Sequence, residues 1–471
     1  MAQSGTNKTR RALAYFQFVT FILVLAGVGA WFFLTPKLKV SDEEKRELAQ
    51  FPQYSNDSLF FGHYIDSIDL YIADHFPMRN QWVDFATDIK DVRGIKNDEI
   101  AFYDASQIKK NDPVGPVKKT DSVVDSTGQK VEDTTAGPPG EEVNNLFIVE
   151  GRAMEIFGGN CKMAESYAKA INKYQTELGY TGVHIYDIAV PSSIEFFAPN
   201  QYKKQYSNEK KNIDCVYGAL DPAIKGVDAW TVLNDHKNEN IYFRTDHHWT
   251  GLGAYYAYTA FCASSGQTPL RLDQMEHKQK TGYLGSLYYL TRDSRLKDNP
   301  DTVDYWKIPG TYKATCYSKG NQTKGMKGSI YAESASGANG YGVFLGGDWP
   351  LMKIESDVKN GKKCVLVKNS YGNPFGTYLP YHYETVYVVD YRYYSGSLKQ
   401  LIIDEKINDL IFLNGAFSIN TSWHIMMIGK IMNGVGKAAT NTPPPVDTTK
   451  PKKDSVIVEE KKDSIPKDPD K

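Results

Sequence analysis

Asp246, His247 and His248 are consecutive in the run "YFRTDHHWTGLGA", residues 242–254, and lead directly into Trp249. A carboxylate two residues from an imidazole can orient the ring and stabilise its protonated form, as the general base of a serine nucleophile requires. In an extended segment residues i and i+2 project to one side, so Asp246 and His248 would share a face and His247 would point the other way. A serine suited to such a base lies downstream in "CVLVKNSYGNPFG", where the apolar run Cys364 to Val367 leads through Lys368 and Asn369 to Ser370, Tyr371 and Gly372. Just past a buried strand, backbone N–H groups of a strand-to-helix turn can donate to an oxyanion. By spacing alone, such a serine is more often a cap or turn residue. Trp249 either walls the site or packs beneath it. A metal centre is the competing chemistry. It needs further ligands, yet His63, His75, His184, His236, His277, His382 and His424 form no HxxxH or HxH pair. Adjacent imidazoles on a strand would also point apart. No metal and no cofactor is therefore expected, and a polar strand end without chemistry remains the bland alternative.

These residues need a scaffold, and the sequence supplies one between about 146 and 432. "NLFIVEG", "VHIYDIAVP", "YGVFLGG", "KCVLVKNS", "ETVYVVDYRYY" and "DLIFLNGAF" read as short apolar strands. "MAESYAKAINKYQTELG", ending at Gly179, and "GLGAYYAYTAFCASSG" read as helices. Strands alternating with helices predict a largely parallel α/β sheet, whose ligands bind beyond the carboxyl ends of the strands. Both chemistry-bearing stretches end in that position.

The 471 residues carry a formal net charge of −1, which gives no global field to attract nucleic acid. From Ala12 to Leu34 no charged residue occurs. That run would form a helix of about 34 Å, enough to span a bilayer. Lys8, Arg10 and Arg11 precede it, so residues 1–11 are placed in the cytoplasm and the remainder outside. A cleaved signal peptide, with Val28-Gly29-Ala30 as its cleavage site, is the competing reading, and it too exports the chain. Residues 35–104 are expected to form a membrane-proximal helical section, with helices on either side of "FPMRN", packing on the globular domain. Residues 105–145 and the tail 433–471 are rich in Pro, Gly, Asp, Thr and Lys and read as disordered. Five cysteines without CxxC spacing exclude a zinc knuckle and leave the pairing open, with at least one thiol free in a monomer.

"YFRTDHHWTGLGAYYAY" and "VLVKNSYGNPFGTYLPYHYETVYVVDYRYY" resemble the DHHW family of exported bacterial proteins. That family is similar to the alginate O-acetyltransferases and other SGNH-hydrolase-like enzymes of envelope polysaccharide acetylation. "ELAQFP" with "FPMRN", "TGYLGSLY" and "FLGGDWPL" belong to the same likeness, which covers nearly all of the chain outside the anchor and the two disordered stretches. The resemblance implies an SGNH-hydrolase-like sheet in which the Asp-x-His element precedes the serine, the reverse of ordinary SGNH order. It makes Ser370 the nucleophile, His248 the base and Asp246 the orienting acid, with Asn369 where such proteins often carry Asp. Asn373 becomes an oxyanion donor or a turn residue before Pro374; Gly346 and Gly347 offer a second backbone approach or a plain tight turn. Tyr371, His247 and Trp249 complete the candidate oxyanion and substrate contacts. The implied function is a membrane-anchored, exported O-acetyltransferase or acetylesterase acting on an envelope polysaccharide through an acyl-serine. A transferase would receive acyl groups from a multi-spanning membrane partner. A non-catalytic glycan-binding or scaffold protein on the same fold is the alternative, with Tyr391, Tyr393 and Tyr394 either stacking on sugars or packing in the core.

Overall fold

The computed structural model describes residues 2–41, 46–55, 59, 63–92, 100–103, 123–124, 130–131, 146–204 and 206–434. The stretches expected to be disordered lie outside those residues, save for the paired dipeptides Val123–Val124 and Lys130–Val131 and the last two described positions, 433 and 434.

Eight strands form the central sheet. They are β1 (His184–Val190), β2 (Ile224–Gly226), β3 (Tyr312–Ser318), β4 (Asn321–Lys327), β5 (Leu351–Ser356), β6 (Lys363–Lys368), β7 (Thr385–Asp390) and β8 (Asp409–Gly415), in the spatial order β4-β3-β5-β7-β6-β8-β1-β2. β7, β6, β8, β1 and β2 run parallel, whereas β5, β3 and β4 extend the sheet antiparallel from β7. The sheet is thus mixed rather than largely parallel. Within its antiparallel part, Lys319-Gly320 joins β3 to β4 as a short reversal that needs no crossover helix.

Burial explains the division. β7 and β8 are buried at every position, as strands covered on both faces must be. Alternate residues feed two cores. Val365, Val367, Val389, Leu410 and Phe412 pack with the helix Cys161–Leu178, and Leu366, Val388, Ile411 and Leu413 pack on the other face with the helix Gly251–Ser265. β4 is almost wholly exposed and closes the sheet with Lys324 and Lys327, charges that discourage edge-to-edge pairing. "YGVFLGG" is not a strand: Gly337–Val343 forms a 3-10 helix, and Leu345, Gly346 and Gly347 then take positive φ of 58°, 70° and 99°. Gly340 at the middle of that segment lies against the Tyr283 ring, where a Cβ would come within 2.8 Å.

Cys161 and Cys215 form a disulfide that joins the helix Cys161–Leu178 to the helix Glu209–Ala219; Cys262, Cys316 and Cys364 are buried free thiols. At the N-terminus, Ala12–Leu34 is long and apolar enough to cross a membrane, as an anchor or signal sequence would be. Helices His63–His75 and Arg79–Val92 flank the turn at Pro77 and Met78. The second is tied to the globular body by Arg292–Asp84 at 3.0 Å and Lys297–Asp88 at 2.8 Å. From β6 the chain builds β7 on one side and β8 on the other, so the carboxyl ends of β6 and β8 part and open a crevice.

Candidate active site

Ser370 stands at that crevice, two residues beyond β6 and ahead of the short helix Gly372–Gly376. The turn is tight. A Cβ on Gly372 would lie 2.4 Å from Lys368 Cβ, so only glycine lets the helix double back onto the strand end. Asn369 Oδ1 accepts from Tyr371 N at 3.2 Å while its amide donates to Ser418 Oγ at 2.9 Å, so this residue braces the turn against the segment that follows β8. Two carbonyls of the turn are also held: Tyr341 Oη donates to Ser370 O at 3.0 Å and Trp249 Nε1 to Tyr371 O at 2.8 Å. Trp249 is fully buried and therefore packs beneath the serine instead of lining an open wall.

The Asp-x-His element sits on a loop that folds back, not on an extended strand. Tyr242 and Trp249 form an antiparallel bridge, and Phe243 N donates to His248 O at 3.3 Å. Arg152 donates to the carbonyls of Tyr242 and Phe243 at 3.1 and 2.9 Å, while Asp301 accepts from Arg244 N, Thr245 N and Thr245 Oγ1. Thr250 then caps the helix Gly251–Ser265 through Gly253 N at 3.2 Å. Within the loop Asp246 Oδ1 accepts from His248 N at 2.9 Å, a local side-chain-to-backbone turn. The same oxygen meets His248 Nδ1 at 2.6 Å, and His248 Nε2 lies 2.8 Å from Ser370 Oγ. His247 does not turn away as an extended chain would require; its ring centre is 3.8 Å from that of His248, and its Nδ1 meets Ser286 Oγ at 2.7 Å. The Tyr341 ring stacks on His248 at 4.0 Å and 11° and so fixes the plane of the imidazole.

Asp246 Oδ2 accepts from Tyr283 Oη at 2.7 Å and from Ser286 N at 2.9 Å, so each carboxylate oxygen takes two hydrogen bonds. Gly285 admits this approach, since a Cβ there would come within 2.3 Å of Asp246 Cβ. Burial alone would raise the Asp246 carboxyl. The charges of His248 and His247, with hydrogen bonds from His248 and Tyr283, outweigh it and hold the group well below the usual carboxylate range. Ligand atoms of Asp246, His247 and His248 all lie within 4.8 Å of one another, so the imidazoles do not point apart and the spacing argument against a metal fails. The donor set argues differently: the carboxylate oxygens are saturated and His248 Nε2 faces a hydroxyl, an arrangement that can pass a proton.

Of the other sequence candidates, Asn373 donates its side-chain amide to Asp348 Oδ1 at 2.9 Å and its backbone N–H to Ser370 O at 3.1 Å. Gly346 and Gly347 form a left-handed turn in which Gly347 N donates to Phe344 O at 3.2 Å, the tight-turn reading of that pair. Tyr371 Oη donates to His247 O at 2.5 Å. Tyr391 is fully buried and bonds His424 Nδ1 at 2.9 Å, and Tyr394 is buried, so both pack in the core; Tyr393 is half-buried with Lys319 over its ring at 3.3 Å. A small cavity of about 60 Å³ opens beside the nucleophile turn, lined by His247, Asn369, Tyr371, Arg392, Ser418 and His424 among others.

Sequence reasoning missed a buried ion network below the serine. Lys368 Nζ meets Asp348 Oδ1 at 2.9 Å and Asp390 Oδ2 at 3.0 Å, and Arg392 meets Asp348 at 2.7 Å and Asp390 at 2.8 Å. Lysine at the end of an apolar strand and "VVDYR" after another were the available signals: buried charges demand partners. Tyr283, Ser286 and Tyr341 were missed because each reaches its site partner from 29 or more residues away.

Fold and site together define a mixed α/β protein with a serine, an imidazole and a carboxylate in hydrogen-bonded series at the carboxyl end of its sheet. The DHHW protein family profile matches residues 96–389, and the chain belongs to that family. A DHHW family protein from Eubacterium siraeum shares 29% identity, with a TM-score of 0.56 over 63% of this chain and 97% of that one. Bacillus cereus PatB1 bearing a sulfonyl adduct has the same fold, with a TM-score of 0.51 at 16% identity over 59% of this chain and 96% of that one. The O-acetyltransferase domain of Pseudomonas putida AlgJ overlaps at a TM-score of 0.34 and 14% identity over 61% of this chain and 96% of that one, too weakly to establish a shared fold. Among curated proteins none matches.

Proposed function

We propose that the chain is an exported O-acetyltransferase or acetylesterase of a cell-envelope polysaccharide, working through an acyl-serine with the acid and base placed ahead of the nucleophile in sequence. The observation that carries this is the continuous series Asp246–His248–Ser370, at 2.6 and 2.8 Å. His248 Nε2 takes the proton from Ser370 Oγ as that oxygen attacks the ester carbonyl of the acyl donor. The tetrahedral adduct collapses, the donor's alkoxide leaves, and the imidazolium protonates it. A sugar hydroxyl, or water, next gives its proton to His248 and attacks the acyl carbon, and Ser370 recovers its proton as it leaves. Asp246 holds the Nδ1–H tautomer and stabilises the imidazolium at both stages. The second N–H of the Asn373 amide, whose nitrogen also donates to Asp348, is the oxyanion candidate. The apolar N-terminal helix and the Cys161–Cys215 disulfide support export, because disulfides persist in oxidising compartments. The transferase version also needs a membrane partner that delivers acyl groups.

The test uses the full chain in detergent with a chromogenic acetyl ester. Wild type releases acetate, and a sulfonyl fluoride, chosen because PatB1 carries a sulfonyl adduct, labels the peptide containing Ser370. Ser370→Ala loses both signals, with activity down about a thousandfold or more. Undiminished hydrolysis by Ser370→Ala would overturn the assignment.

A further inference from the structure

Away from Ser370 a second cleft, of about 550 Å³, opens beside the helices Glu209–Ala219 and Ala229–Asp235, within the range of small-ligand sites. Four lysines line it, Lys203, Lys210, Lys211 and Lys237, against two carboxylates, Glu195 and Asp214. Asp214 is paired within the cleft, and Glu195 is held by neutral donors. Glu195 accepts from Trp230 Nε1 and from Glu209 N, each at 3.1 Å, and Asp214 pairs with Lys210 at 2.5 Å. Glu209, the remaining acid of the "NEKK" stretch, points into the interior and accepts from Ser192 N at 2.6 Å and Ser192 Oγ at 2.5 Å. Burial pushes its carboxyl up to about 8, so near neutrality it does not cancel the lysines. Among the described residues Lys203, Lys211 and Lys237 form no ion pair with a carboxylate, and four lysines against two carboxylates leave the cleft lining net positive in a chain whose net charge is −1.

Part of the lining is aromatic, and Lys210 Nζ lies 5.5 Å from the Trp230 ring centre. Phe196 and Trp230 stand 6.0 Å apart and both line the cleft, and Tyr242 backs Phe196 at 5.9 Å. Tyr242 belongs to the loop that carries Asp246 and His248, so the cleft adjoins that loop. The Cys161–Cys215 disulfide holds the lysine-bearing helix to its neighbour and keeps the wall rigid.

We propose that this cleft binds a saccharide carrying carboxylate or phosphate groups, with its anions on Lys203, Lys211 and Lys237 and its ring faces against Phe196 and Trp230. The assignment rests on the acyl-transfer reading only in taking that saccharide as part of the polymer on which Ser370 acts. Cations meet anions, and aromatic walls cover the apolar faces of sugar rings; a neutral glycan would use the second feature and leave the first unanswered.

Calorimetric titration of the full chain in detergent tests it with three probes: an oligogalacturonate, a phosphorylated oligosaccharide and a neutral oligosaccharide of equal length. Either acidic probe is expected to bind at low salt, more weakly as salt rises, and the neutral probe at least about tenfold less tightly. The variant Lys203→Glu, Lys211→Glu, Lys237→Glu, checked for an unchanged melting temperature, loses at least about tenfold in affinity for the acidic probe. Ser370→Ala binds like wild type, so a failed acyl-transfer assay and a failed binding assay are separable outcomes. Equal affinity for neutral and acidic probes, no binding of either acidic probe, or full affinity in the triple-lysine variant would each overturn the proposal.

Discussion

Two buried aspartates in this molecule are shifted in opposite directions. Asp246 at the candidate site and Asp187 in the middle of β1 are 3% and 0% exposed, so burial does not separate them. Asp246 receives four hydrogen bonds and lies beside two imidazoles, and it is held well below the ordinary carboxylate range. Asp187 receives one, from Tyr167 Oη at 2.7 Å; desolvation dominates and pushes it up to about 7. Its Oδ2 and the Oδ1 of Asn414 are both buried without a hydrogen-bond partner. Cations and donors, and not depth alone, decide whether a buried acid is charged. Asp246 stays an anion because those donors and cations surround it.

That contrast can be attacked most directly at Asp246. Asp246→Asn keeps the shape and removes the charge, so His248 loses the partner that fixes its tautomer and stabilises its protonated ring. Ester hydrolysis should fall by about 10⁴-fold while the fold survives. A variant retaining more than a tenth of wild-type turnover would reduce Asp246 to a structural acid like Asp187.

The next largest effect concerns the ion network under the serine. Lys368→Met removes one of the two cations that share Asp348 and Asp390 and leaves buried charge undercompensated, at a cost of about 3–5 kcal/mol measured by denaturant unfolding. Asp348 should respond too: burial would raise it, but Lys368 and Arg392 overcome that and hold it well below the usual range. A loss below about 1 kcal/mol would place this network with exposed pairs, which contribute little.

A smaller change should follow at the donors. Tyr283→Phe deletes one hydrogen bond to Asp246 Oδ2, a contact to a charged group worth about 1.5–3 kcal/mol. With one donor fewer the carboxyl rises, so the acid limb of the stability–pH profile moves to higher pH. An unmoved limb would show that the two imidazoles alone set the charge of Asp246.

How much of this could be read from the chain alone depends on the range of the interaction. Runs such as Cys364–Val367 and Leu410–Leu413 announce buried strands because every residue is apolar, and both are strands. The pairing of Asp246 with His248 was visible in a two-residue spacing, although the local reason is a turn closed by His248 N and not the alternation of a strand. That difference explains why His247 was assigned to the wrong side. "YGVFLGG" carried strand-like residues, but glycine packing against Tyr283 and three successive positive φ values made it a helical turn. Tyr341 on the His248 ring and Arg392 on Asp348 depend on sheet order, which no local pattern encodes.

The last prediction returns to Asp187. In the folded chain its carboxyl is raised to about 7 from an ordinary value of 3.8, so over that interval the native state holds a proton that the unfolded state has released. Its contribution is therefore fully present below about 4 and is lost as pH rises to 7, at up to about 1.4 kcal/mol per pH unit. Asp246 has the opposite sign: its folded value is depressed, so its stabilisation is present above about 4 and is lost as pH falls below that. Asp187→Asn keeps an acceptor for Tyr167 and sets an amide N–H where the acid's proton would be, so it should remove the first slope and leave the second. Urea unfolding of both proteins from pH 4 to 7 reads this directly: the variant gains on wild type as pH rises. Parallel stability curves would mean that Asp187 is ionised throughout, and that the single bond from Tyr167 does for it what four do for Asp246.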